Sequence, residues 1–283
     1  MQFFKFQNLG EKLSKSNAAQ NINGWIIIDK PTGLTSTAVV NKIKWACSAR
    51  KAGHAGTLDP SATGILAIAL GEATKTIPYV TEQVKSYTFE VKWGEATDSD
   101  DSDGKIIQTS QVRPSEQDII AILPRFRGEI KQTPPFFSAV KINGRRAYEL
   151  ARSGEDFDIE SRSLFVSSLK LEKYISENSA ILSLECGKGG YVRSIARDLG
   201  LELGCYGHVK WLRRIASGSF NLSMAHSLDT ILKLNKTSAV NNFILPVELG
   251  LSTIKHGTCT STAAEKIKNG NSAPILCKGA RTG

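Results

Sequence analysis

The chain has 283 residues, 41% hydrophobic and 22% charged, a balance that fits one large folded domain with at most a small appendage and excludes a disordered chain. Lys and Arg number 36 against 27 Asp and Glu, and the formal charge of +9 fits either a basic enzyme or one that meets a polyanion such as nucleic acid. The five cysteines are scattered without a CxxC pair or zinc-ligand spacing, and no apolar run approaches the ~20 residues of a membrane span, so reduced thiols, no metal, no membrane and a cytoplasmic location are expected.

Residues 1–21 lack an apolar signal core and read as a loose extension. Gly24 to Lys30 is a short apolar run closed by Pro31 and Gly33, which predicts a buried strand and a turn. Thr35-Ser36 precede Val39, Val40, Ile43 and Ala46 at helical spacing, so an N-capped helix is predicted over Thr37–Trp45. Lys51 to Pro60 reads as a loop holding His54, Gly56 and Asp59-Pro60, and Thr63–Leu70 as a buried strand. Tyr87 to Trp93 alternates, which predicts a strand with one solvated face. Glu95 to Gly104 is acidic, but Gly104 falls one place late for a calcium loop and Thr109 stands where its last ligand, Glu, belongs. A solvated inter-strand loop is expected there.

Ser115–Leu123 reads as a capped helix. The stretch from Leu123 to Arg152 then mixes aromatics with bases, including Arg125, Arg127, Lys131, Lys141, Arg145 and Arg146, and is stiffened by Pro134 and Pro135. Glu160–Tyr174 and Ala180–Cys186 read as strands, Tyr191–Leu203 as a helix, and Phe220–Leu234 as a strand followed by a helix. The texture turns polar after Leu245-Pro246. A small helix over Ala263–Lys268 and a strand over Ala273–Cys277 predict a small second unit from about Leu251. His208, His226 and His256 lack metal-ligand company and read as packing or surface residues.

An Asp-Pro pair alone is a turn signal. In context, however, His54-Ala-Gly-Thr-Leu-Asp-Pro-Ser-Ala-Thr-Gly64 closely resembles the catalytic motif of bacterial TruB-type pseudouridine synthases. The blocks around it follow in family order. Asp29-Lys-Pro-Thr-Gly-Leu-Thr-Ser36 is similar to the family's Lys-Pro motif, Lys85-Ser-Tyr87 to its tyrosine strand, and Gly94-Glu-Ala-Thr-Asp-Ser-Asp-Asp101 to its acidic loop. Gln132-Thr-Pro-Pro-Phe-Phe-Ser-Ala-Val-Lys-Ile-Asn-Gly144 resembles its RNA-clamping insertion, and Cys186-Gly-Lys-Gly-Gly-Tyr-Val-Arg193 the start of its arginine motif. Together they span residues 24 to about 250.

The resemblance implies an α+β pseudouridine synthase fold: a long mixed, mostly antiparallel sheet flanked by helices. It implies a catalytic domain over 22–250 with the insertion at about 124–152, and a partial PUA-like RNA-binding segment over 251–283. It also implies roles for single residues. Asp59 corresponds to the catalytic nucleophile, Arg193 to its ion-pair partner, and Tyr87 to the tyrosine stacking on the target base. His54, Tyr191 and Leu212 correspond to groups around the flipped uridine. Lys30 and Pro31 correspond to a structural motif supporting the tyrosine strand, and the basic residues of the insertion become candidate RNA contacts.

The implied reaction breaks the N1–C1′ bond of uridine, turns the uracil and forms C5–C1′, in the T-loop of tRNA at position 55. Nothing is gained or oxidised, so no cofactor is expected. A carboxylate suits an electron-poor C1′, whether it attacks the sugar, adds to the base or takes the 2′ proton in a glycal route. An adjacent guanidinium favours the ionised acid and orients it. The implied enzyme is a monomer acting on the tRNA T-arm. The alternatives are an RNA-guided H/ACA-type synthase and a non-catalytic tRNA-folding module on the same fold. Gly190 departs from the family pattern, where Thr or another small residue is frequent, and little effect is expected.

Overall fold

The computed structural model describes residues 22–255 and 257–277; the extension expected over 1–21, His256 and residues 278–283 lie outside the described residues. The apolar run Gly24–Lys30 forms strand β1, and the Thr35 hydroxyl accepts from the Ala38 amide to cap helix α1 (Ser36–Ala46). The segment expected to be all loop from Lys51 opens with a short strand, β2 (Ala52–His54), because its backbone finds partners on β3 (Thr63–Leu70). Helix α2 (Ile77–Glu82) leads into β4 (Lys85–Trp93), and β5 (Glu95–Thr97) and β6 (Ile106–Thr109) form a hairpin bearing the acidic segment. Ser115 and Asp118 cap helix α3 (Glu116–Ile122) reciprocally.

The basic stretch folds as β7 (Gly128–Gln132), a minimal hairpin of β8 (Lys141–Ile142) and β9 (Arg145–Arg146), and helix α4 (Ala147–Ser153). Next come β10 (Arg162–Ser176), β11 (Ser179–Cys186), α5 (Val192–Glu202), β12 (Gly207–Ser217), β13 (Phe220–Asn221), β14 (His226–Ser227) and α6 (Leu228–Lys233). Beyond them lie β15 (Gly257–Thr258), α7 (Ser261–Lys268) and β16 (Leu276–Cys277), with β15 and β16 paired. No helix among the described residues is long and apolar enough to cross a membrane.

Ten strands make one sheet in the order β14-β1-β3-β12-β4-β11-β10-β7, with β2 on β3 and β13 on β12. Its pairings are antiparallel except β1–β14 and β3–β12. The fold is thus the expected α+β arrangement, and its sheet falls into two halves. In the first, Ile26, Ile28, Leu66 and Ile68 pack against α1 and α6, while Trp25, Ile27 and Ile65 pack on Val80 and Phe220. In the second, Phe89, Val91, Leu182 and Leu184 pack against Ile195, Ala196 and Leu199 of α5. The halves meet at a parallel seam with two register pairs, Arg213 with Thr63 and Arg214 with Gly64. Gly64 has φ +98°, and a Cβ there would sit 2.1 Å from the Arg214 carbonyl oxygen, so the seam closes only on glycine.

Two expectations fail in the second half. The acidic segment is not solvated: Asp100 and Asp101 are each 9% exposed. Helix α5 supplies their counter-charges, with Arg197 2.9 Å from Asp100 and Arg193 3.7 Å from Asp101. Nor is the second face of β4 open to water, because Glu90 there is buried beneath Lys210 and Trp211. Strand β12, in the middle of the sheet, has no counterpart among the sequence expectations. His208, Lys210, Arg213 and Arg214 conceal its alternation.

Candidate active site

Asp59 stands in the turn between β2 and β3, at the seam. Lys30 at the end of β1 is fully buried, and its Nζ donates to the carbonyls of Leu34, Pro31 and Pro60 at 2.7, 2.9 and 3.0 Å. The Ser36 hydroxyl donates to the Leu58 carbonyl at 2.9 Å and accepts from the Leu58 amide at 2.8 Å. Lys30 therefore ties its own turn, through Pro31 and Leu34, to Pro60 beside Asp59. Burial pushes the Lys30 ammonium down to about 8, opposed by Asp59 and assisted by Arg214.

Lys30→Met strands three carbonyls and should destabilise the fold by about 2–4 kcal/mol, read as a lower urea midpoint. The folded chain loses the Lys30 proton near pH 8, while the unfolded chain keeps it to about 10.5. The unfolded state thus binds more protons in that window, and stability gains with rising pH. The rise between pH 8 and 10.5 should be smaller in Lys30→Met than in the parent chain.

Arg193, in the first turn of α5, links three segments distant in sequence. Its Nε lies 3.0 Å from Asp59 Oδ2 and 3.7 Å from Asp101 Oδ2. Its other nitrogens donate to the Ser99 carbonyl at 2.8 Å and the Phe137 carbonyl at 3.0 Å. The guanidinium side chain is 7% exposed and that of Asp59 is 39% exposed, so the arginine is fixed and the carboxylate faces the cleft. Among the described residues Asp59 Oδ1 has no hydrogen-bond partner.

Tyr87 on β4 is across the strands from Arg214, a residue sequence reasoning missed. Arg214 is 1% exposed and has no carboxylate partner among the described residues. It donates to the carbonyls of Ile65, Gly56 and Thr57 at 2.8, 3.0 and 3.3 Å, and it faces Tyr87 across the strands. One buried cation thus stands between the Asp59 loop and Tyr87. Burial pushes the phenol pKa up, against the pull of Arg214, so Tyr87 stays protonated at neutral pH. His54 on β2 is half-buried, and its Nδ1 has no hydrogen-bond partner among the described residues. Burial, then Arg214, lowers its pKa against a bond to the Gly56 backbone, so the ring is neutral at neutral pH.

Tyr191 precedes α5 and is held by the buried Gln132, whose side chain donates to the Tyr191 carbonyl at 3.1 Å and accepts from its amide at 2.8 Å. Leu212, Asp59, Arg193 and Asp101 line one cleft along β12, together with Lys210 and Trp211. The structure therefore gathers Asp59, Arg193 and Leu212 around an opening, with His54 at the start of the same loop and Tyr87 across the strands from Arg214, which bonds that loop. No group of three or more His, Cys, Asp or Glu side chains among the described residues is arranged to hold a metal ion. At Gly190, a Cβ would lie 2.6 Å from Cys186 Sγ, so the larger residue frequent in the family needs a shifted neighbour here.

The basic candidates of the insertion lie apart from the cleft and are exposed. Arg125 pairs with Glu202, Arg145 with Glu155, and Lys131 donates to Ser163. Arg127 donates to the Leu169 carbonyl and Arg146 to the Ala139 carbonyl. Lys141 makes no such contact among the described residues. The sequence signal for Arg214 was the Arg213-Arg214 pair within a β-like segment. For Asp100 and Asp101, it was the two arginines at 193 and 197, one helical turn apart.

Comparisons with known proteins show the family of the chain. The family described as TruB family pseudouridylate synthase (N terminal domain) matches residues 44–192, and the tRNA pseudouridylate synthase B C-terminal domain matches residues 193–252. tRNA pseudouridine synthase B of Ruegeria pomeroyi is 50% identical over 92% of this chain and 86% of its own length. That of Dinoroseobacter shibae is 51% identical over 96% and 89%. Among solved structures, a chain of the archaeal box H/ACA sRNP Nop10-Cbf5 complex shares the fold, with TM-score 0.68 and 23% identity over 90% of this chain and 70% of that one. The chain, with both domain matches and relatives at half identity along nearly its whole length, belongs to the TruB family of pseudouridylate synthases.

Proposed function

We propose that this protein isomerises uridine to pseudouridine at position 55 in the T-loop of tRNA, without a cofactor and with one chain per active site. The observation that carries the reading is the 3.0 Å pair between Arg193 and Asp59 at the mouth of a cleft. Arg193 holds Oδ2 and leaves Oδ1 for the sugar. The carboxylate acts at the C1′ centre while the N1–C1′ bond breaks, the uracil turns in place and C5 bonds to C1′; the C5 proton then leaves to solvent and N1 takes up a proton, so the product is an isomer of the substrate. Leu212 and Tyr191 confine the uracil during its turn, and Tyr87 stacks on it. Neutral His54 fills space beside the nucleotide without adding charge.

Extruding the uridine from a folded loop costs stacking energy, and an aromatic platform returns roughly 1–3 kcal/mol of it. The basic insertion over 124–152 clamps the RNA backbone. Residues 251–283 add a PUA-like contact, with Lys266 and Lys268 in the last turn of α7. The relatives named tRNA pseudouridine synthase B support a tRNA substrate, whereas the H/ACA chain shares less than a quarter of its residues with this one.

The test is tritium release from 5-labelled uridine in an unmodified T-arm minihelix, without guide RNA. Release there excludes both a guide-dependent synthase and a non-catalytic module. No release, with intact T-arm binding, defeats the reading. Binding should also depend steeply on salt. About four phosphate contacts predict roughly a 10²-fold loss of affinity between about 50 and 200 mM, and a flat response counts against the clamp.

A further inference from the structure

Trp211 takes no part in the proposed reaction. It lies across from Glu90 in the β4–β12 register, whereas its neighbour Leu212 lies across from Phe89. Alternation sends Trp211 and Glu90 to the face of the sheet opposite Leu212 and Phe89. Yet Trp211 and Leu212 both line the cleft of Asp59 and Arg193, because that cleft runs along β12 beyond its short pairing with β3.

An indole 37% exposed on an inner strand asks for a reason. It is not loose. Its Nε1 donates to Glu90 Oε2 at 2.6 Å, and Lys210 Nζ holds the other oxygen at 3.0 Å. The Glu90 side chain is 7% exposed, so a buried carboxylate fixes the orientation of the ring. Burial pushes the Glu90 pKa up, but the bonds from Lys210, Ser179 and Trp211 outweigh it and keep the carboxylate ionised at neutral pH. A rigid aromatic face open to solvent is what a nucleobase stacks on, whatever its identity.

We infer that Trp211 is the stacking platform for the base next to the extruded uridine, on the face of β12 opposite Leu212. The inference rests on the proposed function. Extrusion unstacks the neighbouring bases as well as the target. A strand that sends one base towards Leu212 presents the adjacent one to the neighbouring position on β12, which the indole occupies. Lys210, 53% exposed, lies beside it at the level of the passing phosphates.

The test has two readouts on the full chain with an unmodified T-arm minihelix. In a Trp45→Phe background Trp211 is the exposed tryptophan, since Trp25 and Trp93 are 0% and 1% exposed. Its emission should be quenched when the minihelix binds. In tritium release, Trp211→Ala should raise KM roughly 10- to 100-fold with kcat nearly unchanged, and Trp211→Phe should recover most of the loss. An indole that merely covers Glu90 gives no quenching and a parental KM, and either result overturns the inference. If Trp211→Ala does not fold, quenching of the native indole still decides. Failure of the parent chain to release tritium at all defeats the proposed function instead.

Discussion

Asp59→Asn should abolish tritium release, by roughly 10⁴-fold or more, while tRNA binding stays within a few-fold of the parent. Asparagine matches the shape of the carboxylate but can neither trap C1′ nor take a proton from the sugar. The substitution should not collapse the site. Arg193 keeps Asp101 at 3.7 Å and the carbonyls of Ser99 and Phe137, and the turn keeps its bonds to Lys30 and Ser36. Tritium release at saturating T-arm RNA, with filter retention for binding, separates the two effects. Near-parental release by the variant would sink the assignment of Asp59.

Arg193→Ala is the second large effect, and it acts on both turnover and stability. It removes the group that holds Asp59 Oδ2, and turnover should fall roughly 10³-fold, the scale of losing one preorganised electrostatic contact. It also leaves Asp101, with a side chain 13% exposed, without its cation. Removing one partner of a buried ion pair costs about 3–5 kcal/mol, so the thermal midpoint should drop as well. Binding should change far less, because Arg193 itself is 7% exposed and meets little RNA. Arg193→Lys should recover stability better than turnover, since one ammonium cannot reach Asp59, Asp101 and two carbonyls together. Parental turnover in Arg193→Ala would remove the ion pair from the mechanism.

The legible parts of this fold were those set by local chemistry. Apolar runs marked β1 and β3, the Thr35 and Ser115 caps marked the starts of α1 and α3, and helical spacing marked α5. The misread parts depend on partners far along the chain. The acidic segment resembles solvated loop until Arg193 and Arg197, almost a hundred residues later, fold onto it. Strand β12 carries Arg213, paired with Asp29, and Arg214, whose donors are satisfied by the backbone of β3 and of the Asp59 loop, so its charge said nothing about exposure. Asp59 and Arg193 were nominated by resemblance to a family, because spacing alone left Asp59-Pro60 a turn. The contact of Lys30 with Pro60, beside Asp59, spans thirty residues and was not legible in local sequence.

The seam between β3 and β12 also has a kinetic consequence. Each half of the sheet has its own apolar cluster and can gain structure from contacts within itself. The functional groups, however, come from both sides, and the join includes only two parallel register pairs, the Arg213–Asp29 ion pair, the bonds of Arg214 and the packing of Phe220, on β13, against Trp25. Contacts between such distant residues form late, because the loop between them must close first. On dilution from urea, sheet signal should therefore recover before catalysis does. On slow denaturation, catalysis should vanish while most of the sheet persists, making enzymatic turnover a sensitive gauge of whether the two halves have docked.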